Sequence, residues 1–345
     1  MANVAGHLGG LHLPNFGSLG LGNITSLRGV DPPKQPRGTF GRLAERSKGK
    51  DTITGHWEMA GIITDVPFPT YPAGFPAEIV AAFTEIVGCS PLANIAASGT
   101  QIIAECGEEH QRTGRPILYT SADSVFQVAA HESTVPLERL YAWCEAARAM
   151  LVAPHNVNRV IARPFTGVPG AYERTANRRD YAIDPPPCSL DRIAARGIPV
   201  HAVGKICDIY CGHGIATSDR VRGNAEAIDK TLERLAGLEH GFVFVNLNDF
   251  DSKYGHRRDV RGYGSALEAL DRRVPELLAV LHPGDRLMFT ADHGCDPTAP
   301  GTDHTREYVP FLEFGPDAVG SDLGTVSGLD YVGARVEATL FGATA

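Results

Sequence analysis

The sequence predicts an α/β protein with a largely parallel sheet, built as a core with a second α/β domain inserted into it. Three observations lead there. Short apolar runs rich in β-branched residues recur along the 345-residue chain, amphipathic stretches with helical spacing separate them, and two proline-rich breaks interrupt the alternation. The runs are 116–123, 159–165, 198–205, 241–251 and 285–294. They read as strands buried on both faces, which is how strands of parallel sheets are patterned.

Between them, Leu137, Leu140, Tyr141, Cys144 and Leu151 fall on one helical face, with Pro136 at the helix start. Ile228, Leu232 and Leu235 form a second face, and Leu267, Leu270, Val274, Leu277 and Leu281 a third. The first break carries Pro67, Pro69, Pro72 and Pro76; the second is Pro185, Pro186 and Pro187. Proline runs of this kind mark connections rather than element interiors. They predict an inserted domain over 67–187 and a discontinuous core made of 1–66 and 188–345. The glycine-rich opening, residues 1–22, fits no dinucleotide-binding register and reads as flexible loop.

A net charge of -8 argues against a surface for nucleic acid or anionic membrane. Any phosphate-binding charge then belongs in a pocket, which points to a small substrate. Seven scattered cysteines fit no zinc or disulfide pattern and read as reduced thiols of a cytoplasmic protein. No apolar run is long enough to span a bilayer, and the first residues lack the form of a signal peptide.

Two of the apolar runs end in chemistry. The run 241–248 leads into Asp249, Asp251, His256 and Asp259, and the run 285–290 leads into Asp292, His293 and, beyond a loop, Asp303 and His304. Ligands of α/β sheets collect at the carboxyl ends of strands. Carboxylates mixed with imidazoles suit a borderline divalent ion such as Mn²⁺ or Zn²⁺. Asp251, His256, Asp292, His293 and His304 are too many for one open tetrahedral site and fit a pair of ions, which can clamp both oxygens of a displacement at phosphorus. Upstream, the segment 47–58 departs from a Walker A loop, because Asp51 stands where a hydroxyl residue should follow Lys50. Thr52 reads as a helix N-cap, whose free N–H groups would stabilise a phosphorylated hydroxyl.

The segments SKGKDTITGHWEMAG, ASGTQIIAECGEEH, ILYTSADSVFQVAAHE, VIARPF, TANRRDYA, VGKICDIY, NDFDSKYGHRRDVRGYG and TADHGCDPTAPGTDHTREYVP follow one another over residues 40–315. In content and order they resemble the phosphopentomutases of the alkaline phosphatase superfamily. The resemblance implies an alkaline-phosphatase-like core, with Asp251, His256 and His304 on one Mn²⁺ and with Asp292 and His293 on a second alongside Thr52. It implies that Thr52, with Thr54 the weaker candidate, carries a phosphate that is exchanged with a pentose monophosphate through a sugar 1,5-bisphosphate, which also primes the enzyme. Asp123, Arg163, Arg178 and Lys205 match family positions that bind the sugar phosphate.

Family members open with a core strand ending in an Asp that ligates metal, and no early segment here reads that way. The implied consequence is a metal site one carboxylate short, a sheet lacking a central strand and a written start downstream of the family's. Two rival readings follow. One is a metal-dependent phosphatase or phosphoglycerate mutase of the same superfamily, and the other a non-catalytic remnant that binds sugar phosphate weakly. Oligomeric state is not encoded in any pattern of the sequence.

Overall fold

The structure, a computed structural model, describes residues 1–342. In chain order the elements are helices α1 (Ala2–Leu8), α2 (Pro14–Leu19) and α3 (Leu21–Ile24), strand β1 (Thr39–Ala44) and helix α4 (Thr52–Met59). Next come α5 (Ala77–Val87), β2 (Leu92–Ala96), α6 (Gly99–Thr113), β3 (Ile117–Thr120), β4 (Val125–His131), α7 (Leu137–Met150), β5 (Arg159–Val168), β6 (Ala171–Arg174) and β7 (Arg179–Ala182). The chain continues through α8 (Ser189–Ala195), β8 (Val200–Val203), α9 (Ile206–Ile209), β9 (Thr217–Asp219), α10 (Asn224–Ala236) and β10 (Phe242–Val245). After a π-helical turn at Phe250–Gly255 it ends with α11 (Val260–Ala279), β11 (Leu287–Phe289), β12 (Val309–Phe314), β13 (Asp322–Ser327) and α12 (Asp330–Phe341). The expected α/β class is what these elements build.

Contacts divide the chain into two compact units, one of Met1–Pro67 with Pro185–Ala345 and one of Phe68–Asp184. The changeovers fall within both proline-rich breaks, one residue and three residues from the boundaries read in the sequence.

In the discontinuous unit the strands form two ladders. The order β10-β8-β9 is parallel throughout. In the order β11-β12-β1-β13, only the β1–β13 pairing is parallel, because β12 runs antiparallel to both of its neighbours. Among the described residues β10 and β11 each have a ladder partner along one edge only. Their apolar runs, Phe242–Val245 and Leu287–Phe289, are accordingly only half-buried. Phe244 and Met288 nonetheless pack against one hydrophobic cluster, around Leu43, Val309 and Phe311.

The opening residues are not the flexible loop that their glycines suggest. Val4, Ala5, Leu11, Leu13, Phe16 and Leu19 are buried against Leu267, Leu270, Val274 and Leu277 of α11. Apart from Ala5, each such side chain is worth roughly 1.5–3 kcal/mol of apolar burial. The buried carboxylate of Asp271 on α11 accepts from the backbone N–H of Phe16 at 2.8 Å and from Asn15 Nδ2 at 2.9 Å, fixing the start of α2.

The inserted unit is a six-strand sheet with the path β2-β3-β4-β5-β6, and β7 pairs with β5. One face packs Leu118, Phe126, Val128, Val160 and Ala162 against α5 and α7. The other packs Ile117, Tyr119, Ala129 and Phe165 against Ile102 and Ile103 of α6. No helix among the described residues is long and apolar enough to cross a membrane, and no disulfide is formed among the described residues.

Candidate active site

The candidate site lies in the discontinuous unit, where the segments after β10 and β11 meet the start of α4. The π-helical turn after β10 closes on a His256 N–H to Asp251 C=O bond of 3.0 Å. A single π turn shifts the register of side chains and is common at functional positions. Here it places Asp251 and His256 on one side, with His256 Nε2 3.3 Å from Asp251 Oδ1. His304 Nε2 approaches the same oxygen at 3.1 Å. One donor atom from each of Asp251, His256 and His304 can be chosen so that all lie within 4.8 Å of one another.

The imidazoles are oriented from behind. His256 Nδ1 faces Thr302 C=O at 2.6 Å, His304 Nδ1 faces Lys50 C=O at 2.9 Å, and His293 Nδ1 faces Gly294 C=O at 3.0 Å. A carbonyl can only accept, so each Nδ1 carries a proton, which leaves Nε2 as the nitrogen that can take a metal once it has given up any proton of its own. Fixing the tautomer in this way is the usual support of metal-binding histidines. The donor set therefore fits a divalent ion of the Mn²⁺ or Zn²⁺ kind. His293 and His304 stack at 3.8 Å between ring centroids, so the two groups of candidate ligands are contiguous.

Asp292 and His293 form the second group, with Asp292 Oδ2 3.4 Å from His293 Nε2 and 3.0 Å from His56 Nδ1. His56 lies in the GHW segment of the motif, where nothing local in the sequence sets it apart. Buried one turn into α4, it also bonds through Nδ1 to Thr52 C=O at 2.8 Å, while Asn246 Nδ2 sits 3.4 Å from its Nε2. Gly55 makes this packing possible: a Cβ there would fall 1.9 Å from the carbonyl oxygen of Asp292.

The electrostatics match an anionic cradle for cations. Burial works against ionisation of Asp292, but His293 and His56 hold its carboxyl well below the usual carboxylate range. Asp251 shows the same balance, with burial opposed by His304, His256 and His293. Burial disfavours a charged His304, yet Asp251 and Asp292 outweigh it and hold the ring's proton on to higher pH than usual. In a chain without metal, protons thus hold the charge that an ion would supply. The Cys295 thiol, 3.8 Å from Asp251 Oδ1, is pushed up to about 12 by burial and by the neighbouring carboxylates.

Thr52 is the first helical residue of α4, not its N-cap. Asp51 caps the helix, its Oδ1 accepting from the N–H groups of Ile53 and Thr54 at 3.1 Å each. An acid at this position outcompetes a threonine one residue later, because its carboxylate also answers the helix dipole. Those two N–H groups are consequently not free for a phosphate. Thr52 Oγ1 is left facing His293 Nε2 at 3.5 Å, whereas Thr54 Oγ1 is buried and donates to Asp51 Oδ2 at 2.5 Å.

Glu58, Arg306 and Lys50 hold the loop before α4. Glu58 accepts from the N–H groups of Arg46, Ser47 and Leu329 at 2.9, 2.6 and 2.8 Å. The Arg306 guanidinium donates to the carbonyls of Gly49 and Glu45 at 2.9 and 3.2 Å and to that of Ser47. Lys50 Nζ donates to His304 C=O and pairs with Asp303, both at 2.7 Å.

Of the remaining sequence candidates, Lys205 is exposed at the start of α9 in the same unit. Asp123, Arg163 and Arg178 belong to the inserted unit. Asp123 is exposed in the β3–β4 turn. Arg163 is half-buried with Nε 3.1 Å from Gln127 Oε1, and Arg178 grips Asp180 with two bonds of 2.6 Å.

Comparison with known proteins places these features. The phosphopentomutase of Anaeromyxobacter sp. (strain K) is 54% identical over 338 residues, which cover 97% of this chain and 87% of that protein. The chain belongs to the phosphopentomutase family. The phosphopentomutase of Desulfitobacterium hafniense is 52% identical over the same shares of both chains. Phosphopentomutases are mutases, and the chain is thereby an enzyme of the isomerase class. A family model described as the metalloenzyme superfamily matches residues 191–342, the segment that carries Asp251, His256, Asp292, His293 and His304. Among solved structures, the PH0037 protein from Pyrococcus horikoshii is 15% identical and covers 90% of this chain and 88% of its own, with a TM-score of 0.48, too low to support an argument.

Proposed function

We propose that the chain interconverts ribose or deoxyribose 1-phosphate and 5-phosphate by way of a phosphorylated Thr52 and a sugar 1,5-bisphosphate. The observation that carries this reading is the hydroxyl of Thr52, aimed at His293 Nε2 next to the Asp251, His256 and His304 cluster. Two Mn²⁺ ions held by Asp251, His256 and His304, and by Asp292 and His293 with Thr52, would supply Lewis-acid stabilisation of charge on the transferring phosphoryl group.

The residues have defined tasks in that scheme. The Thr52 Oγ–P bond breaks as a bond forms from phosphorus to the free hydroxyl of the pentose monophosphate, and the proton of that hydroxyl ends on Thr52 Oγ. The second half is the reverse with the other phosphate of the bisphosphate, which regenerates phosphorylated Thr52. Asp51, Glu58 and Arg306 hold the backbone that presents Thr52, so that it need not reorganise in the transition state. Arg163 and Arg178 grip phosphate, Lys205 adds a point charge, and Asp123 accepts from ribose hydroxyls. A cytoplasmic setting, where pentose phosphates are met, completes the reading.

The test is conversion of ribose 1-phosphate to ribose 5-phosphate with Mn²⁺ and a catalytic amount of sugar bisphosphate. Turnover by the wild type and none by Thr52→Ala is the expected result. Release of inorganic phosphate from simple esters without isomerised sugar would replace the mutase by a hydrolase, and absence of both activities would leave a non-catalytic binder.

A further inference from the structure

A thiol ties the two groups of candidate ligands together. Cys295, three residues beyond Asp292, donates from Sγ to Asp251 Oδ1 at 3.8 Å. A free cysteine usually packs as a small apolar group. This one is set among carboxylates instead, with Asp251, Asp292 and Glu307 all acting on it.

The fold makes room for the sulfur. A Cβ on Gly255, the last residue of the π-helical turn, would overlap Cys295 Sγ. Gly255 is not among the residues with left-handed φ, so its backbone does not itself call for glycine. The missing Cβ serves close approach, and the space it leaves holds the thiol. The backbone on either side of Cys295 is also fixed. Thr305 donates its N–H to Gly294 C=O at 3.0 Å, and its Oγ1 accepts from the Asp296 N–H at 3.1 Å. The residue next to His304 therefore mounts the segment that carries the thiol, so Cys295 is held to the chain near His304 and reaches across to the π-helical turn.

The oxygen it reaches is the one that matters. Asp251 Oδ1 is approached by His304 Nε2 at 3.1 Å and by His256 Nε2 at 3.3 Å. A carboxylate oxygen has two lone-pair directions. An ion held between that oxygen and the two imidazoles uses one of them, and the thiol occupies the other.

We propose that Cys295 is a positioning residue of the metal centre, whose thiol turns the Asp251 carboxylate toward His256 and His304 and couples that group of ligands to Asp292 and His293. The role rests on the metal-binding part of the mutase reading, and it adds a residue outside the five ligands. Cys295 acts through Asp251, as a neutral donor, and makes no bond to the ion.

The test is titration of the full chain with Mn²⁺, followed by the electron paramagnetic resonance signal of the free ion, with melting temperatures measured beside it. Cys295→Ala should raise the Mn²⁺ dissociation constant about three- to tenfold, toward the low end for groups that support a metal ligand because a thiol is a weak donor. Cys295→Ser still donates and should lose less. In the double variant Gly255→Ala with Cys295→Ala, a methyl group fills the space of the lost sulfur. It should recover part of the melting temperature without recovering the affinity. Mn²⁺ affinity within twofold of wild type in Cys295→Ala, or wild-type affinity in the double variant, would overturn the role and leave a packing residue. Should Cys295→Ala fail to fold, the double variant carries the comparison alone. With Co²⁺ in place of Mn²⁺, no thiolate-to-metal charge-transfer band should appear; such a band, absent from Cys295→Ala, would overturn the role by making Cys295 a ligand. A wild type that binds no Mn²⁺ would remove the metal reading and this role together, whereas wild-type binding that Cys295→Ala leaves unchanged removes the role alone.

Discussion

The hydroxyl of Thr52 stands 3.5 Å from Nε2 of His293, a separation too long for a strong hydrogen bond. The two atoms nevertheless face each other, because Asp51 caps α4 one residue earlier and the Gly294 carbonyl turns the His293 ring through Nδ1. Thr52→Ser keeps an oxygen at that point and should retain measurable isomerisation, reduced no more than about a hundredfold. Thr52→Ala should retain none while melting as wild type. Covalent labelling from ³²P-bisphosphate checks the assignment directly: label retained by Thr52→Ala would move the nucleophile elsewhere.

His56 acts through Asp292 rather than on a substrate. Its Nδ1 lies 3.0 Å from Asp292 Oδ2 and 2.8 Å from Thr52 C=O, so one ring positions both a ligand carboxylate and the residue that carries the hydroxyl. Supporting groups of this kind typically cost 10–100-fold in metal affinity when removed. His56→Ala should weaken Mn²⁺ binding by about that factor in a titration, and excess Mn²⁺ should recover part of the activity. Unchanged affinity would make His56 a packing residue only.

Glu58 gathers three backbone N–H groups from two distant segments, at Arg46, Ser47 and Leu329. Glu58→Ala leaves those donors buried without acceptors and should destabilise the fold by about 3 kcal/mol. Denaturant unfolding measures it; a loss below about 1 kcal/mol would mean that water replaces the carboxylate. Glu58→Gln should recover part of the loss, since its one carbonyl oxygen can still accept.

How far the sequence foretold this molecule depends on whether the pattern was local. The strands at β3, β5, β8, β10 and β11 were legible because each is a continuous apolar run closed by turn chemistry, and the metal candidates were legible because they follow two of those runs. β1 and β13 were not, since Gly41 and Gly324 interrupt their apolar pattern and the pairing that defines them joins residues almost 300 positions apart. The opening helices were misread for a related reason: glycines dominate their composition, while the surface that orders them, the apolar face of α11, arrives 250 residues later. The Asp51 cap was missed because Asp and Thr are both good caps and local sequence does not choose between adjacent candidates. His56, Glu58 and Arg306 gave no separate sign because many of their partners are backbone groups, which sequence does not distinguish, and the carboxylates that His56 and Arg306 meet, Asp292 and Glu45, lie more than 230 positions away along the chain.

Asp271 offers a check on that long-range ordering. Its carboxylate is the acceptor for the Asn15 and Phe16 N–H groups at 3.2 and 2.8 Å. Asp271→Ala should destabilise the protein by roughly 2 kcal/mol and speed hydrogen exchange at residues 14–19 before any other segment. Uniformly faster exchange across the chain would show instead that α2 unfolds only with the whole unit.

Glu45 gives the fold a pH dependence whose sign can be worked out. Its carboxyl is pushed up to about 7, chiefly by burial, and Glu58, Asp51 and Asp292 add to the effect while Arg306 opposes it. The folded chain therefore binds this proton more tightly than the unfolded chain, where an ordinary glutamate titrates near 4.3. Below that value both states are protonated and the stabilisation is fully present. Between about pH 4.5 and 7 the unfolded state loses the proton first, so this group's contribution to stability falls as pH rises and is lost above about 7. The ion pair with Arg306 at 3.4 Å softens the fall without reversing it. Glu45→Gln is neutral at every pH and removes the slope. Denaturation midpoints of wild type and Glu45→Gln should therefore draw closest, or favour wild type, near pH 5, and favour the glutamine variant near pH 8. A difference between the two that does not change over that range would mean that Glu45 titrates normally and that Arg306, not burial, governs its charge.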